Sequence, residues 1–219
     1  PGLSIILTTP DNFATIRATV ACHRRQTVVS DLELVIVCPS RLELGYDVTK
    51  LTEFAAVQVV EVGRVQSVAH GNAAGVRAAT AAAVALAEDH AFPAEDWAEA
   101  FIRRHAEPYA VVGPVVTNGN PTNGVACADF LIGYGGWADP SPGGLATHLP
   151  GHNSSYKRDV LLSYGDRLQD MLDVESVLHW DLRSRGYQLY LDPAVRCEHV
   201  NFALWSSWIF VQFNMGRLL

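Results

Sequence analysis

The sequence predicts an α/β domain with a mostly parallel central sheet flanked by helices. Short runs of branched apolar residues, such as 32–37, alternate with longer segments of helical character, such as 67–82. This alternation is typical of a doubly wound sheet, whose inner strands are apolar on both faces. With 219 residues, of which 49% are hydrophobic, the chain can bury a full core, and we expect residues 1–219 to form a single domain.

Composition excludes several classes of protein. The net charge is −7, which argues against a nucleic-acid partner, because neutralising phosphates requires clustered Lys and Arg. The four cysteines, at positions 22, 38, 127 and 197, form no CxxC pair. We interpret them as free thiols of a reducing, cytoplasmic compartment.

The C-terminal segment 202–219 is apolar but is interrupted by polar residues. It does not reach the roughly 20 apolar residues of a membrane-spanning helix, and no signal peptide opens the chain. We interpret this tail as a candidate for peripheral membrane association. Because the chain begins at Pro1 and stops within the tail, we also expect that it can be a fragment of a longer protein.

The first part of the chain is interpreted as four strands and two helices. Each strand is a short β-rich run, and a Pro-Asp turn after the first strand can cap the first helix. The predicted strands are 3–7, 32–37, 57–62 and 83–87, and the predicted helices are 13–24 and 67–82.

The second part is less regular. Residues 117–151 are rich in Gly, Pro and Asn and are interpreted as long loops, which are usually functional or mobile in compact domains. Around them we predict helices at 93–105, 160–165 and 173–185, the last ended by Gly186, and strands at 110–116, 188–191 and 194–198.

Polar residues follow three of the predicted strands, at 8–11, 38–40 and 88–90. In doubly wound sheets, ligands bind outside the carboxyl ends of the strands. We therefore expect these three segments to lie along one edge of the sheet and to form the binding site.

The segment Glu88-Asp89-His90 follows an apolar strand directly. Two carboxylates and an imidazole at a strand end can hold a divalent cation, which in turn screens a diphosphate. The alternative is a helix start that carries acidic residues because they interact favourably with the helix dipole.

Two further segments combine small and polar residues. In 71–77, small residues allow close approach of a ligand and Arg77 could face a phosphate, although plain packing of an Ala-rich helix is the alternative. In 150–158, backbone amides, hydroxyls and cations suit sugar or phosphate oxygens, and Asn153 has the strongest claim. The alternative there is a capped helix start with solvated charges.

Glu175 and His199 stand at the start of a predicted helix and at the end of a predicted strand. An acid in a first helical turn is common, and an isolated strand-end histidine is more often structural than a ligand. Each signal is weak alone, and the order of all of them along the chain carries more weight.

In this order the sequence resembles the inverting GT-A glycosyltransferases of family 2, over nearly its whole length. The family has a Thr-containing first turn, an Arg-Asn-x-Gly segment, an Asp-x-Asp metal motif, a Gly-Gly-Asn loop, a Glu-Asp-x-x-Leu motif and a late histidine. The matching segments here are Ser4-Ile5-Ile6-Leu7-Thr8-Thr9 with Gln26-Thr27, the strand 32–37, Asn72 to Gly75, Glu88-Asp89-His90, Gly151-His152-Asn153, Glu175 with Leu178, Tyr190-Leu191-Asp192-Pro193, and His199.

This sequence departs from the family pattern at three points. Cys38 replaces the first aspartate of the base-binding turn, His90 replaces the second acid of Asp-x-Asp, and Val174 precedes the single acid Glu175. The resemblance therefore does not extend to uracil recognition by a carboxylate, to the second acid of the metal motif or to the paired acids.

The resemblance implies a single Rossmann-like GT-A domain that transfers a sugar, with inversion, from a nucleotide-diphosphate sugar to an unidentified glycan, lipid or small-molecule acceptor. It implies Glu175 as the general base and a divalent cation, Mn²⁺ or Mg²⁺, held by Glu88, Asp89 and His90 together with His199. A histidine ligand favours Mn²⁺. The implied donor-binding residues are Thr8, Thr9, Asp11, Ser40, Arg77, Glu88 and Asp89, and the implied acceptor or sugar residues are His152, Asn153 and Trp180.

Two alternatives stay open. A nucleotidyltransferase of similar fold would need a Gly-rich, basic loop after the first strand, which Thr8-Thr9-Pro10 is not. A degenerate, non-catalytic domain that binds a nucleotide-sugar or a partner is suggested by Cys38 and His90.

Overall fold

The computed structural model describes residues 1–215, which form one mixed sheet with helices on both faces. The strands of this part are β1 (Leu3–Thr8), β2 (Leu32–Cys38), β3 (Ala56–Glu61), β4 (Ala83–Ala87), β5 (Ala91–Pro93), β6 (Val111–Asn118), β7 (Gly144–Ala146), β8 (Ser155–Lys157) and β9 (Leu189–His199). Its helices are α1 (Phe13–His23), α2 (Arg41–Leu44), α3 (Val68–Ala78), α4 (Trp97–His105), α5 (Gly124–Tyr134), α6 (Arg158–Leu162), α7 (Leu168–Asp173), α8 (Glu175–Ser184) and α9 (Trp205–Met215).

The strand order is β3-β2-β1-β4-β8-β6-β9-β5, with β7 paired to β9 as well. The longest pairings are parallel: β1 with β2, β2 with β3, β1 with β4, and β6 with β9. The short strand β8 runs antiparallel to both β4 and β6 and joins the two parallel groups. The predicted fold class, a mostly parallel sheet flanked by helices, is confirmed.

The two faces of the sheet carry separate apolar cores. In β1, Leu3, Ile5 and Leu7 face the core formed with α1 and α4, whereas Ile6 faces the core formed with α3. All four side chains are fully buried. Burial on both faces explains why these strands are continuously apolar rather than alternating.

The predicted helix 67–82 ends earlier, at Ala78. The residues after it are hydrogen-bonded to a buried carboxylate instead of continuing the helix. Glu33 in β2 accepts hydrogen bonds from the Thr80 backbone N–H at 2.8 Å and from the Thr80 hydroxyl at 2.9 Å. It also accepts from Ser4 and Gln58. These donors satisfy a charge that would otherwise be costly to bury, and they direct the chain into β4.

Three other predictions were wrong in detail. The predicted strands 188–191 and 194–198 are one strand, β9, whose register against β6 shifts near Pro193, where a proline is tolerated. The predicted helix 173–185 corresponds to α8 but begins two residues later, at Glu175, because Asp173 ends the separate helix α7. The predicted long loop 117–151 contains α5 and β7, since α5 lacks the clear periodicity that marks a helix in a sequence.

The apolar tail forms α9, with residues 216–219 lying outside the described part. Large apolar side chains of this helix, including Ile209, Phe210 and Phe213, are exposed. Among the described helices, none is long and apolar enough to cross a membrane. Peripheral membrane association and the cytoplasmic compartment both stay predictions, as does the extent of the domain.

Gly75 lies where α3 crosses β1, and a Cβ added there would overlap Cγ2 of Ile6 and lie 3.2 Å from Cγ2 of Val37. We expect Gly75→Ala to lower the free energy of unfolding by up to about 2 kcal/mol, because overpacking at about 1–3 kcal/mol outweighs the helix-propensity gain of about 1 kcal/mol. The matched control is Gly133→Ala in α5, where the added Cβ meets no described atom within 4 Å. That variant should gain about 0.5–1 kcal/mol. Urea denaturation measures both, and equal effects would contradict the packing argument.

Candidate metal centre and active-site cleft

The carboxyl ends of the strands form one edge, as the sequence predicts, and a cleft opens along it. Thr8 ends β1, Glu88 follows β4 and His199 ends β9. Because β8 is antiparallel, its start rather than its end lies at this edge. Asn153, just before β8, therefore also lies there. A cavity of about 330 Å³ extends from Thr8 and Pro10 to Glu88 and His90.

Backbone contacts fix the segment after β4. The buried Thr19 of α1 donates its hydroxyl to the carbonyl oxygen of Asp89 at 2.9 Å. On the other side, Val200 N–H donates to the carbonyl oxygen of His90 at 3.1 Å. The segment is therefore held between α1 and the continuation of β9, which fixes the directions of its side chains.

Glu88, His90 and His199 form a candidate metal centre. One ligand atom from each of them lies within 4.8 Å of the other two. The two imidazole rings, distant in the sequence, meet edge to face with their centroids 4.7 Å apart. A carboxylate with two imidazoles suits a cation such as Mn²⁺ better than Mg²⁺, which prefers oxygen.

The expected ligand set requires one correction. Glu88, His90 and His199 converge, whereas Asp89 is not in the convergent group. The Asp89 carboxylate instead lies 2.6 Å from Nδ1 of His90, and this contact raises the pKa of His90. Asp89 therefore fixes the orientation of the His90 ring, as carboxylates commonly do behind metal-binding histidines.

Glu88 is the electrostatic centre of the cleft. Its side chain is only 12% exposed, and it accepts a hydrogen bond from Nδ2 of Asn153 at 2.9 Å. Burial alone would raise the pKa of Glu88, but His152, His199 and His90 outweigh it and lower the pKa to about 2. The carboxylate is thus charged at neutral pH and available to a cation.

His152 joins the candidate metal centre to Glu175. Its Nδ1 lies 3.5 Å from Glu88 and its Nε2 lies 3.4 Å from Glu175. Burial would lower the pKa of His152, but the two carboxylates raise it above its ordinary value. Glu175 therefore faces the cleft from the first turn of α8.

The approach of Glu175 depends on a glycine and on a buried histidine. A Cβ added to Gly151 would overlap the Glu175 side chain, so any other residue there would displace Glu175 from its observed position. Further along α8, His179 accepts from Leu149 N–H at 3.4 Å and pairs with the Tyr156 hydroxyl at 3.1 Å. Burial lowers the pKa of His179 to about 4 and keeps it neutral. These contacts hold α8 against β8 and set the position of Glu175 relative to Asn153.

The predicted donor residues divide into those that line the cleft and those that do not. Thr8 lines it and hydrogen-bonds Asn72 at 3.2 Å. Thr9 is fully buried, and its hydroxyl stabilises the turn at Asn12 and Asp11. Ser40 accepts from Glu43 N–H as the N-cap of α2, which occupies its hydroxyl, and Asp11 is exposed beside the β1 turn.

Arg77 and Trp180 are not among the residues that line the cavity of the cleft. Arg77 is in the last turn of α3 and donates to Gly165 O at 3.2 Å. Since a crossover helix runs against its strands, Arg77 is about 14 Å along the axis from the cleft end of α3. Trp180 is 60% exposed on α8, on a side away from the buried Leu178 and His179.

Sequence reasoning assigned no individual role in the site to several residues that support the centre. Asn72 contacts Thr8, and Tyr134 of α5 packs on His199 with ring centroids 4.4 Å apart. Asn201 contacts Nδ1 of His199 at 2.9 Å. The one available signal was the close spacing of His199 and Asn201 at a strand end.

A second cavity, of about 490 Å³, lies at the opposite, amino edge of the sheet. Its cations are already engaged: Lys157 donates to Glu107 O at 3.1 Å, and Arg158 donates to Val76 O at 2.9 Å and Arg77 O at 3.0 Å. The converging acids and imidazoles described above lie only in the first cleft, which we take as the candidate site.

Comparison with known proteins supports the fold. No family model and no curated protein matches this sequence. Among solved structures, the fold is similar to the mannosyltransferase PcManGT from Pyrobaculum calidifontis in complex with GDP-Man and Mn²⁺, with a TM-score of 0.64 and 20% identity. The match covers 91% of this chain but only 56% of that protein's length. At this identity the likeness establishes the fold alone, a Rossmann-like α/β sheet flanked by helices.

The contacts of His152 make stability depend on pH in a defined direction. Because the folded-state pKa of His152 is raised, its stabilisation is present below its ordinary pKa near 6.5 and is lost as pH rises through the folded value. Glu88 acts in the opposite direction: its stabilisation is present above its ordinary pKa near 4.5 and is lost as pH falls through about 2. The two contributions coexist fully between about 4.5 and 6.5.

We therefore expect His152→Gln to lower the free energy of unfolding more at pH 6 than at pH 9, measured by urea denaturation with chelator present. The control, His148→Gln, changes an exposed histidine whose recorded side-chain contacts are with Thr147 and Trp137. If the loss of unfolding free energy in His152→Gln does not change with pH, the charge of His152 contributes nothing to stability.

Proposed function

We propose that this protein is a glycosyltransferase that uses a divalent cation, preferably Mn²⁺, and a nucleotide-diphosphate sugar as donor. The observation that carries the proposal is the convergence of Glu88, His90 and His199 beside Glu175 in the carboxyl-edge cleft. The fold it shares with a mannosyltransferase in complex with GDP-Man and Mn²⁺ supports it.

The donor would lie along the cleft from Thr8 to Glu88. Thr8 and Asn72 offer polar groups at the nucleoside end, and Glu88, His90 and His199 would hold the cation at the diphosphate end. Bound there, the cation supplies Lewis-acid stabilisation of charge on the leaving diphosphate. Asn153, which donates to Glu88 and has a left-handed backbone with φ of 61°, would border the donor sugar.

Glu175 is the proposed general base. It would accept the acceptor hydroxyl proton while the acceptor oxygen bonds to the anomeric carbon. The bond from that carbon to the diphosphate oxygen breaks in the same step, and the nucleoside diphosphate leaves with the electron pair. A single displacement of this kind inverts the anomeric configuration. His152, 3.4 Å from Glu175, would orient the carboxylate.

A non-catalytic binding domain is the second candidate. The observation that favours it is that His152 contacts both Glu88 and Glu175, so that the proposed base already has a partner. Mn²⁺-dependent hydrolysis of nucleotide-sugars, tested on a panel that includes GDP-mannose, separates the two. Donor binding without any turnover would favour the binding domain.

Removal of either histidine of the centre should weaken Mn²⁺ binding. We expect His90→Ala and His199→Ala each to raise the Kd for Mn²⁺ at least about 10-fold, because loss of an orienting partner alone costs 10–100-fold. Isothermal titration of the metal-free protein at pH 7.5 measures this, with His148→Ala as the control. Unchanged affinity in both variants would remove the proposed centre.

Removal of the base should affect turnover and leave binding intact. We expect Glu175→Gln to lower kcat at least about 10²-fold, with the Kd for donor within about 3-fold of wild type, because a general base contributes about 10²–10⁴-fold. The matched control is Asp170→Asn on the neighbouring helix α7, where the acid is exposed. Near-wild-type turnover of Glu175→Gln would exclude Glu175 from the mechanism.

A further inference from the structure

His199 and Asn201 form a buried pair at the end of β9. Nδ1 of His199 lies 2.9 Å from Oδ1 of Asn201, and the two residues are 6% and 5% exposed. The opposite ring nitrogen, Nε2, faces the candidate metal centre, 3.5 Å from Glu88. The proton on the ring therefore decides whether His199 can act as a ligand, because only a nitrogen with a free lone pair binds a cation.

The network around Asn201 fixes the orientation of its amide. The Nδ2 group donates to Oδ1 of Asn118 at 2.9 Å and to the backbone oxygen of His199 at 3.0 Å. If this amide were rotated by 180°, its oxygen would face these two oxygen atoms, and neither of them could donate a hydrogen bond to it. The side-chain oxygen of Asn201 must therefore face the ring of His199.

The orientation of Asn118 is fixed independently. Its Oδ1 also accepts from the backbone N–H of Asn120 at 3.1 Å, and a backbone N–H can only donate. Asn120 is fixed in turn, because its Oδ1 accepts from Asn201 N–H at 2.9 Å and its Nδ2 donates to Asn201 O at 2.8 Å. Each of the three amides thus contacts at least one backbone group that can act only as a donor or only as an acceptor.

We propose that Asn201 is a positioning residue that holds His199 in the tautomer with its proton on Nδ1, leaving the lone pair of Nε2 for a divalent cation. An amide oxygen at Nδ1 requires a proton there. The competing acceptor for the ring proton is Glu88, but its contact with Nε2, at 3.5 Å, is longer than the 2.9 Å contact of Nδ1 with Asn201. The proposal rests on the proposed function only for the identity of the cation site. Asp89 holds Nδ1 of His90 in a corresponding way, at 2.6 Å.

An amide suits this position better than a carboxylate would. Aspartate at 201 could still accept from His199, but it would set a second oxygen against Oδ1 of Asn118. It would also add a negative charge near the buried Glu88. The neutral amide orients the ring without either cost.

The first test reads the tautomer directly in the metal-free, full-length chain. Long-range ¹H–¹⁵N correlation spectra at pH 9 distinguish the two neutral tautomers of each imidazole, and His199→Gln identifies the signals of His199. We expect Nδ1 to be protonated in the wild-type protein. A ring protonated on Nε2 would overturn the proposal, and this result needs no variant of Asn201 to fold.

The second test measures Mn²⁺ affinity. Asn201→Leu removes the acceptor and should raise the Kd for Mn²⁺ about 10–100-fold, the usual effect of losing an orienting partner, with the ring shifting toward the Nε2-protonated form. Asn123→Ala is the control for general destabilisation, since Asn123 caps α5 and its side chain accepts from Ala126 N–H. A folded Asn201→Leu protein with wild-type affinity and tautomer would overturn the proposal.

The two proposals fail differently. If the wild-type protein binds no Mn²⁺ while the ring carries its proton on Nδ1, the metal-dependent function is excluded and the tautomer assignment stands. If Mn²⁺ binds but the ring is protonated on Nε2, the positioning role of Asn201 is excluded and the metal site stands.

Discussion

A buried carboxylate at the carboxyl edge of the sheet constrains the whole site. Glu88 is charged and nearly enclosed, and such a group is costly unless charged or hydrogen-bonding partners surround it. Its partners come from three places in the chain: the turn after β4, the segment before β8 and the end of β9. The strand order that brings these partners together therefore also lowers the free-energy cost of burying the charge of Glu88.

The fold could be predicted because its signals are local. The runs 3–7, 32–37 and 83–87 are apolar on both faces, and each is followed by polar residues. In a parallel sheet those polar ends must share one edge, so the general location of the site follows from the strand pattern alone. The family resemblance added the expected position of Glu175, which lies in the cleft.

The details of the site could not be predicted, because they depend on contacts between distant segments. Nothing in the sequence distinguishes Glu88 from Asp89 as the convergent acid, since a turn sets their directions and α1 and β9 hold that turn. The sequence pattern also does not show that Arg77 lies in the last turn of α3, at the helix end remote from the cleft. Asn201 was missed because its role depends on Asn118 and Asn120, more than 80 residues earlier.

The reversed strand β8 also bears on how the molecule holds together. It joins a parallel group formed by β1 to β4 to a second group formed by β6 and β9. Glu88 belongs to the first group and His199 to the second, so a cation held by both would cross-link the two groups in the folded chain only. Because a ligand that binds only the native state stabilises it by mass action, the melting temperature would rise with the concentration of free cation. The same ion would then serve catalysis and reversibly stabilise the association of the two groups of strands.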